Sequence, residues 1–207
     1  MQPLARVGEE LQAIIYGVAS VLLYPVLAFL VIALVFVTFE AGRFTLEAIR
    51  RKRSARGFDL DATATLLAGP DGAKALPDVL SGLRVRPAMA RALRSLGDAA
   101  DLSRTRVLKA LADAEIEVSR RLERTRMLVR LGPTLGLMGT LIPISPALVG
   151  LARGDVDTLS NNLVIAFSTT VVGLLVAGIA YLVTSVRSRF YQQDMVDLEY
   201  LLDRVEV

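Results

Sequence analysis

Residues 131–152 read LGPTLGLMGTLIPISPALVGLA, and residues 163–186 read LVIAFSTTVVGLLVAGIAYLVTSV. A third apolar stretch, residues 11–39, precedes them, and none of the three contains Asp, Glu, Lys, Arg or His. A helix needs about 20 apolar residues to cross the hydrocarbon core of a bilayer. Only helices and closed barrels satisfy their backbone hydrogen bonds there. The sequence therefore predicts an all-α integral membrane protein with three transmembrane helices.

The first stretch is expected to remain in the protein as a span. It is much longer than the apolar region of about 7–15 residues in a cleaved signal peptide, and Arg6 is the one basic residue before it. The chain is 53% hydrophobic, with a mean hydropathy of +0.50, and most of its charged residues lie between the first two stretches. Segregation of charge of this kind indicates a membrane topology.

Basic residues near the apolar stretches predict the orientation. Eleven of them lie near the two ends of the segment between the first and second stretches, against Arg6 and Arg153 on the opposite side. Lys and Arg next to spans favour the cytoplasmic side. We therefore expect the N-terminus outside and the C-terminus in the cytoplasm. Since topology and contact with membrane lipid explain these residues, no nucleic-acid partner is predicted.

Four segments follow from this layout. They are the N-terminus with the first span (residues 1–40), a cytoplasmic helical domain (41–130), the hairpin of the second and third spans (131–186) and a cytoplasmic C-terminal helix (187–207). From Pro87 the pattern predicts one long amphipathic helix that extends below the membrane and continues into the second span. Its apolar stripe is expected to pack against the chain's own cytoplasmic helices, against another subunit, or against both.

The residue inventory argues against an enzyme. The chain has no cysteine and no histidine, which excludes disulfides, imidazole metal sites and Ser-His or Cys-His nucleophile pairs. A phosphate-binding Gly-Lys-Ser/Thr loop and a run of acids at metal-ligand spacing are also absent from the sequence. No catalytic residue, metal or cofactor is therefore predicted.

Small residues recur every three or four positions along the second and third spans. The set that we expect to form a seam is Gly132, Gly136 and Gly139 in the second span, and Gly173 and Ala177 in the third. Helices in lipid associate by close packing, which small residues permit. These faces are therefore predicted to pack helices together, within the chain or at a subunit seam.

Hydroxyl groups lie beside these small faces, at Thr140, Thr169 and Thr170. A lone Thr in a span usually donates to a carbonyl of its own helix. Two spans that each carry Thr on a small face can instead border a polar path. The residues alone leave both interpretations open.

Two motifs in these spans resemble a known family. Residues 132–140, GPTLGLMGT, are similar to the Pro-x-x-Gly-Leu-x-Gly-Thr signature that opens the second span of ExbB and TolQ, in the MotA/TolQ/ExbB proton-channel family. Residues 166–174, AFSTTVVGL, resemble the Ala-x-x-x-Thr-x-x-Gly-Leu stretch of the third span. The match covers about the last third of the chain, and the rest agrees in layout.

The resemblance implies a homo-oligomeric ring of five chains around a dimer of single-span partners of the ExbD/TolR/MotB type, in the cytoplasmic (inner) membrane of a bacterium or archaeon. Flow of protons or sodium through the ring would be coupled to motion of the partner. Thr140 and Thr170 match the family's pore-facing threonines, and Thr169 is a neighbour without a family counterpart. Because the three stretches contain no acid, the ion-carrying carboxylate is expected from the partner's span.

The sequence also departs from the family. Ile165 stands where the family commonly has a Glu, and Leu141 to Pro146 replace a Trp-Gly-like pattern. The missing Glu concerns the outer access route for the ion. The alternative function is a non-conducting oligomeric scaffold whose seams only pack helices and whose cytoplasmic helices bind a partner.

Overall fold

The computed structural model describes residues 2–54, 59–69, 90–92, 94 and 104–205. It contains the long helices α1 (Gln2–Ser54), α3 (Arg104–Ala152) and α4 (Val156–Val205), and the short helix α2 (Leu60–Ala68) between α1 and α3 in the sequence. No strand occurs in these described parts of the chain. The helices long and apolar enough to span a membrane lie in Ile14–Arg53, Arg104–Ala152 and Val156–Leu201. The predicted all-α fold with three candidate spans is confirmed, while the helix start predicted at Pro87 lies outside the described residues.

The turn between α3 and α4 is set by local chemistry. Gly154 has a φ of 72°, in the left-handed region that glycine adopts without steric cost. Asp155 then caps α4, because its Oδ1 accepts a hydrogen bond of 3.0 Å from the N–H of Thr158. The cap satisfies a backbone donor that the first turn of a helix leaves free. The two helices are therefore joined by a short connection and run antiparallel.

The chain divides into two compact units, and the first consists of Met1–Glu40 and Arg126–Tyr181. Its core contains Ala33 and Val37 of α1 with Val176 and Ala180 of α4. Val37, Val176 and Ala180 have no exposed surface. Small and β-branched side chains at this contact allow the helices to approach closely.

The second unit consists of Ala41–Thr125 and Leu182–Val207. Val118 and Leu122 of α3 pack with Tyr191 of α4, and Phe190 and Met195 border this cluster. The described part of the predicted apolar stripe on α3 is thus buried by the chain itself. The ring, the cytoplasmic extension and the four predicted segments stay predictions.

A buried ion network joins α1 to α4 inside the second unit. The guanidinium of Arg51 donates two hydrogen bonds to Asp194, of 2.9 and 2.6 Å. Glu47 lies 3.4 Å from Arg51 Nε and 3.3 Å from Arg187 Nε. Arg51 also lies over the ring of Phe190, 5.1 Å from its centroid. The Asp194 side chain is 3% exposed, so its charge is compensated by this pairing rather than by water.

We expect Asp194→Ala to destabilise the protein by about 3–5 kcal/mol, because it leaves the Arg51 charge buried without its bidentate partner. The measurement is equilibrium unfolding in mild detergent. Asp113→Ala is the matched control: Asp113 pairs with Lys109 at 3.9 Å on an exposed surface, and its loss should cost less than about 1 kcal/mol. The double variant Arg51→Leu/Asp194→Leu should recover part of the loss. Equal effects of the two single variants would contradict the role given to the network.

Candidate functional site

The candidate site lies in the first unit, where α3 and α4 pack through glycines. A methyl group placed on Gly132 would lie 2.7 Å from the carbonyl oxygen of Gly173, and one on Gly173 would lie 2.6 Å from that of Gly132. A methyl on Gly132 would also lie 3.1 Å from Cβ of Ala177. The two helices therefore touch backbone to backbone, which side chains other than hydrogen would prevent. These predicted seam residues meet within one chain, and their role between subunits stays a prediction.

The same contact continues along the hairpin. A methyl on Gly136 would lie 3.3 Å from the carbonyl oxygen of Thr169. One on Gly139 would lie 2.6 Å from the Thr169 hydroxyl, and one on Gly150 would lie 3.0 Å from Cγ2 of Thr158. Glycines on α3 thus make room for α4 from the middle of the hairpin to its turn.

Thr140 and Thr170, the two threonines predicted to face a pore, are half-buried. The hydroxyl of Thr140 donates to the carbonyl of Leu137 at 2.7 Å. That of Thr170 donates to the carbonyl of Ala166 at 3.3 Å. Each hydroxyl proton is therefore used inside its own helix, and the oxygen lone pairs remain to accept hydrogen bonds. Donation to a partner's carboxylate requires the hydroxyl to rotate away from its helix.

Thr169 lies in a different environment from its neighbour. It is 5% exposed, with its side chain against Gly139, and its hydroxyl donates to the carbonyl of Ala166 at 2.9 Å. The structure therefore places Thr169 in the seam between α3 and α4 of one chain. A pore-facing role stays a prediction for Thr140 and Thr170, whose surfaces are more open.

The apolar stretches in this unit contain no Asp, Glu, His, Lys or Arg. Asp155, an acid between the second and third spans, lies at the exposed turn, where hydrogen bonds from Thr158 lower the pKa of its carboxyl. Asp155 therefore stays ionised at neutral pH. No group of three or more His, Cys, Asp or Glu that could hold a metal occurs among the residues that the structure describes. The two apolar stretches of the hairpin offer hydroxyl and carbonyl oxygens but no Asp, Glu, His, Lys or Arg.

Two polar features of the structure were not predicted from the sequence. Asn162 is half-buried in the hairpin, and its Nδ2 donates to the carbonyl of Thr158 at 2.8 Å. Asn162 and Thr169 are seven residues apart and therefore lie on one face of the helix, a spacing that could have been recognised in the sequence. The pairing of Arg51 with Asp194 had no such signal, because 143 residues separate the two.

Comparison with known proteins also indicates a membrane channel. The sequence model of the MotA/TolQ/ExbB proton channel family matches residues 83–199, which include both threonines, the glycine seam and most of α4. No curated protein and no solved structure matches the chain. The matched family is one of membrane channels and not of enzymes, and its match together with the three apolar helices makes the chain a multi-pass membrane protein. Since more than half of the chain is matched, the protein belongs to the MotA/TolQ/ExbB proton channel family.

Proposed function

We propose that this chain is the ion-conducting stator subunit of a motor driven by a proton or sodium gradient. Five copies form a ring around a dimer of a single-span partner of the ExbD/TolR/MotB type. The partner contributes an Asp that carries the ion, and Thr140 and Thr170 border its path. Flow of ions is coupled to movement of the partner within the ring.

One observation carries this proposal: half-buried hydroxyls lie beside a glycine seam in spans that contain no Asp, Glu, His, Lys or Arg. A proton relay through hydrocarbon is expected to use a titratable group, and such groups are costly in a span unless they are functional. The acids Glu47 and Asp194 do not supply it, because arginines bind both of them in the second unit. A carboxylate from a second protein fits this inventory.

The orientation of the chain in the membrane is part of the same proposal. Eleven basic residues flank the segment between the first two spans, against two on the other side, which supports a cytoplasmic location for that segment. The N-terminus and the α3–α4 turn then lie outside, and the C-terminus lies in the cytoplasm of a bacterial or archaeal cell.

A second candidate, the non-conducting oligomeric scaffold, is favoured by one observation. The hydroxyls of Thr140, Thr169 and Thr170 all donate to carbonyls of their own helices, as in spans where Thr has only a packing role. The neighbouring reading frame discriminates the two candidates. A short protein with one N-terminal span that contains an Asp, followed by an external domain, favours the motor.

Thr170→Val tests the ion path, because it removes the hydroxyl and nearly keeps the shape. We expect assembly with the partner to survive and ion-driven uptake in proteoliposomes to fall at least tenfold. Thr134→Val is the control: Thr134 is exposed on α3, and its hydroxyl donates to Leu131 of its own helix at 2.9 Å. Uptake at the wild-type rate by the Thr170 variant would contradict the assignment.

The number of subunits requires its own measurement. Single-particle images of the purified complex, viewed along the membrane normal, should show a ring with five-fold symmetry around a central density. A dimer or an open array would contradict the proposed ring.

A further inference from the structure

The buried face of α1 loses its cover partway along the helix. Four residues of this face, each at most 8% exposed, follow one another at spacings of three or four: Val26, Leu30, Ala33 and Val37. Towards the N-terminus the same spacing continues with Leu23 and Ala19, which are half-buried, and with Tyr16, which is 47% exposed. Residues at this spacing lie on one face of a helix. The face therefore extends beyond the contacts that bury it.

A cavity of about 200 Å³ lies against the uncovered part of this face. Its walls are residues of α1 between Tyr16 and Leu23 and residues of α3 between Leu141 and Pro146, all in the first unit. Pro146 precedes the end of α3 at Ala152 by six residues and Leu141 by eleven, or roughly 9 and 16 Å of helix. Since the hydrocarbon core of a bilayer is about 30 Å thick, the cavity lies in the half of the membrane nearer the α3–α4 turn.

The walls of the cavity suit hydrocarbon better than water. Among the described residues that line it none is charged, and the polar side chains are the hydroxyls of Tyr16, Ser20 and Ser145. The Ser20 hydroxyl already donates to the carbonyl of Gly17 in its own helix, at 2.9 Å. Pro143, which is fully buried, contributes ring carbons and has no N–H. Because a buried water needs about two to four polar partners, an apolar molecule is the better occupant.

The size of the cavity limits what this molecule can be. A helix is about 10 Å across and rises about 5.4 Å per turn, so one turn occupies roughly 400 Å³. A cavity of about 200 Å³ holds only half a turn, which excludes a transmembrane helix as its occupant. A single hydrocarbon chain is narrow enough to enter. If the cavity stayed empty, the side chains around it would lose their van der Waals contacts on that side.

We propose that the cavity between α1 and α3 binds one acyl chain of a phospholipid from the leaflet nearer the α3–α4 turn. The acyl chain packs on Leu23 and Ala19 and so continues the buried face that ends at Val26. Tyr16 lies at the end of the cavity nearer the N-terminus of α1, where its phenol donates a hydrogen bond to an ester oxygen of the lipid. This inference goes beyond the proposed function, since it requires no ion flow and no partner protein.

The test compares Ala19→Phe, which fills the cavity from α1, with Val18→Phe. Val18 is the matched control because it lies on another face of the same helix and is 57% exposed. Dioleoyl phosphatidylglycerol is added stepwise to the purified chain in mild detergent, and bound lipids are counted by native mass spectrometry. We expect the dissociation constant of the first lipid to rise at least tenfold for Ala19→Phe and to change less than twofold for Val18→Phe.

Two results of this comparison overturn the lipid site. One is equal lipid affinity of the wild type and Ala19→Phe. The other is a smaller number of chains per particle for Ala19→Phe with unchanged lipid binding, which would assign the cavity to a side chain from a second copy of the chain.

A covalent label gives an answer even if Ala19→Phe does not fold. The chain has no cysteine, so Ser20→Cys provides a single thiol at the cavity with little change in size. Hexyl methanethiosulfonate then attaches a six-carbon chain to this thiol through a disulfide. We expect the attached chain to take the place of the lipid and raise its dissociation constant at least tenfold, whereas the same label on Val18→Cys should change it less than twofold. Equal lipid binding by the two labelled proteins overturns the proposal.

Discussion

Liposomes that contain this chain alone should show no proton flux above that of empty vesicles. The three apolar stretches contain no Asp, Glu, His, Lys or Arg, so a homo-oligomer offers only hydroxyls, carbonyls and water along its spans. None of these groups changes charge during a transport cycle at neutral pH. The opening between subunits is expected to be filled with lipid or closed on apolar side chains. A pH-sensitive dye inside the vesicles, with a potential imposed by potassium and valinomycin, measures the flux.

Addition of a single-span partner with an intramembrane Asp should create a flux that the partner's Asp→Asn substitution abolishes. The substitution keeps the size of the side chain and removes its titration, so assembly can be held constant while the charge change is lost. Equal recovery of the two complexes is the necessary control. Robust, selective proton flux from this chain alone would show that threonines and water suffice, and would contradict the mechanism proposed for it.

The membrane fold could be predicted because its signals are local and long. Runs of more than 20 apolar residues have few alternatives to a spanning helix, and small residues at spacings of three and four define a helix face. Pro133, Pro143 and Pro146 do not end α3, although proline breaks most soluble helices. In a bilayer an interrupted helix would expose backbone groups to hydrocarbon, so the helix continues through them.

The direction of the hydroxyls could not be predicted in the same way. Spacing places Thr140 and Thr170 beside the small faces, but a rotation about one side-chain bond decides whether a hydroxyl donates to its own helix or outward. Thr169 and Thr170 illustrate this difficulty. They are adjacent in sequence, yet Thr170 is half-buried, whereas Thr169 packs against Gly139 in the seam. Only packing against α3 separates the two neighbours.

The pairing of Arg51 with Asp194 is the other feature that could not be predicted from the sequence. Arg51 counts as a topology signal because it belongs to a basic cluster near the first span. In the structure it is also the centre of a buried network with Glu47 and Asp194. Its i,i+4 spacing from Glu47 is visible in the sequence, whereas its contact with α4 depends on the tertiary fold.

Gly173→Leu is expected to have the largest structural effect of any substitution in the spans. Already the first carbon of a side chain at this position would lie 2.6 Å from the carbonyl oxygen of Gly132 and 2.8 Å from Cα of Gly136. Both are backbone atoms, so no rotamer change can relieve the overlap, and the two helices must separate. We expect loss of the folded hairpin, seen as aggregates and a collapse of the monodisperse peak in size-exclusion chromatography in mild detergent.

Gly178→Leu provides the matched control, because it places the same side chain on the same helix five residues later. A methyl on Gly178 would meet nothing within 4 Å, so the larger side chain should be accommodated by lipid and helix propensity should improve slightly. The contrast separates the effect of close helix contact from that of hydrophobicity or of removing a glycine. If both variants keep the wild-type elution profile, backbone contact at Gly173 is not required for the fold. If both lose it, the exposed face around Gly178 is also a packing surface, and the subunit seam should be sought there.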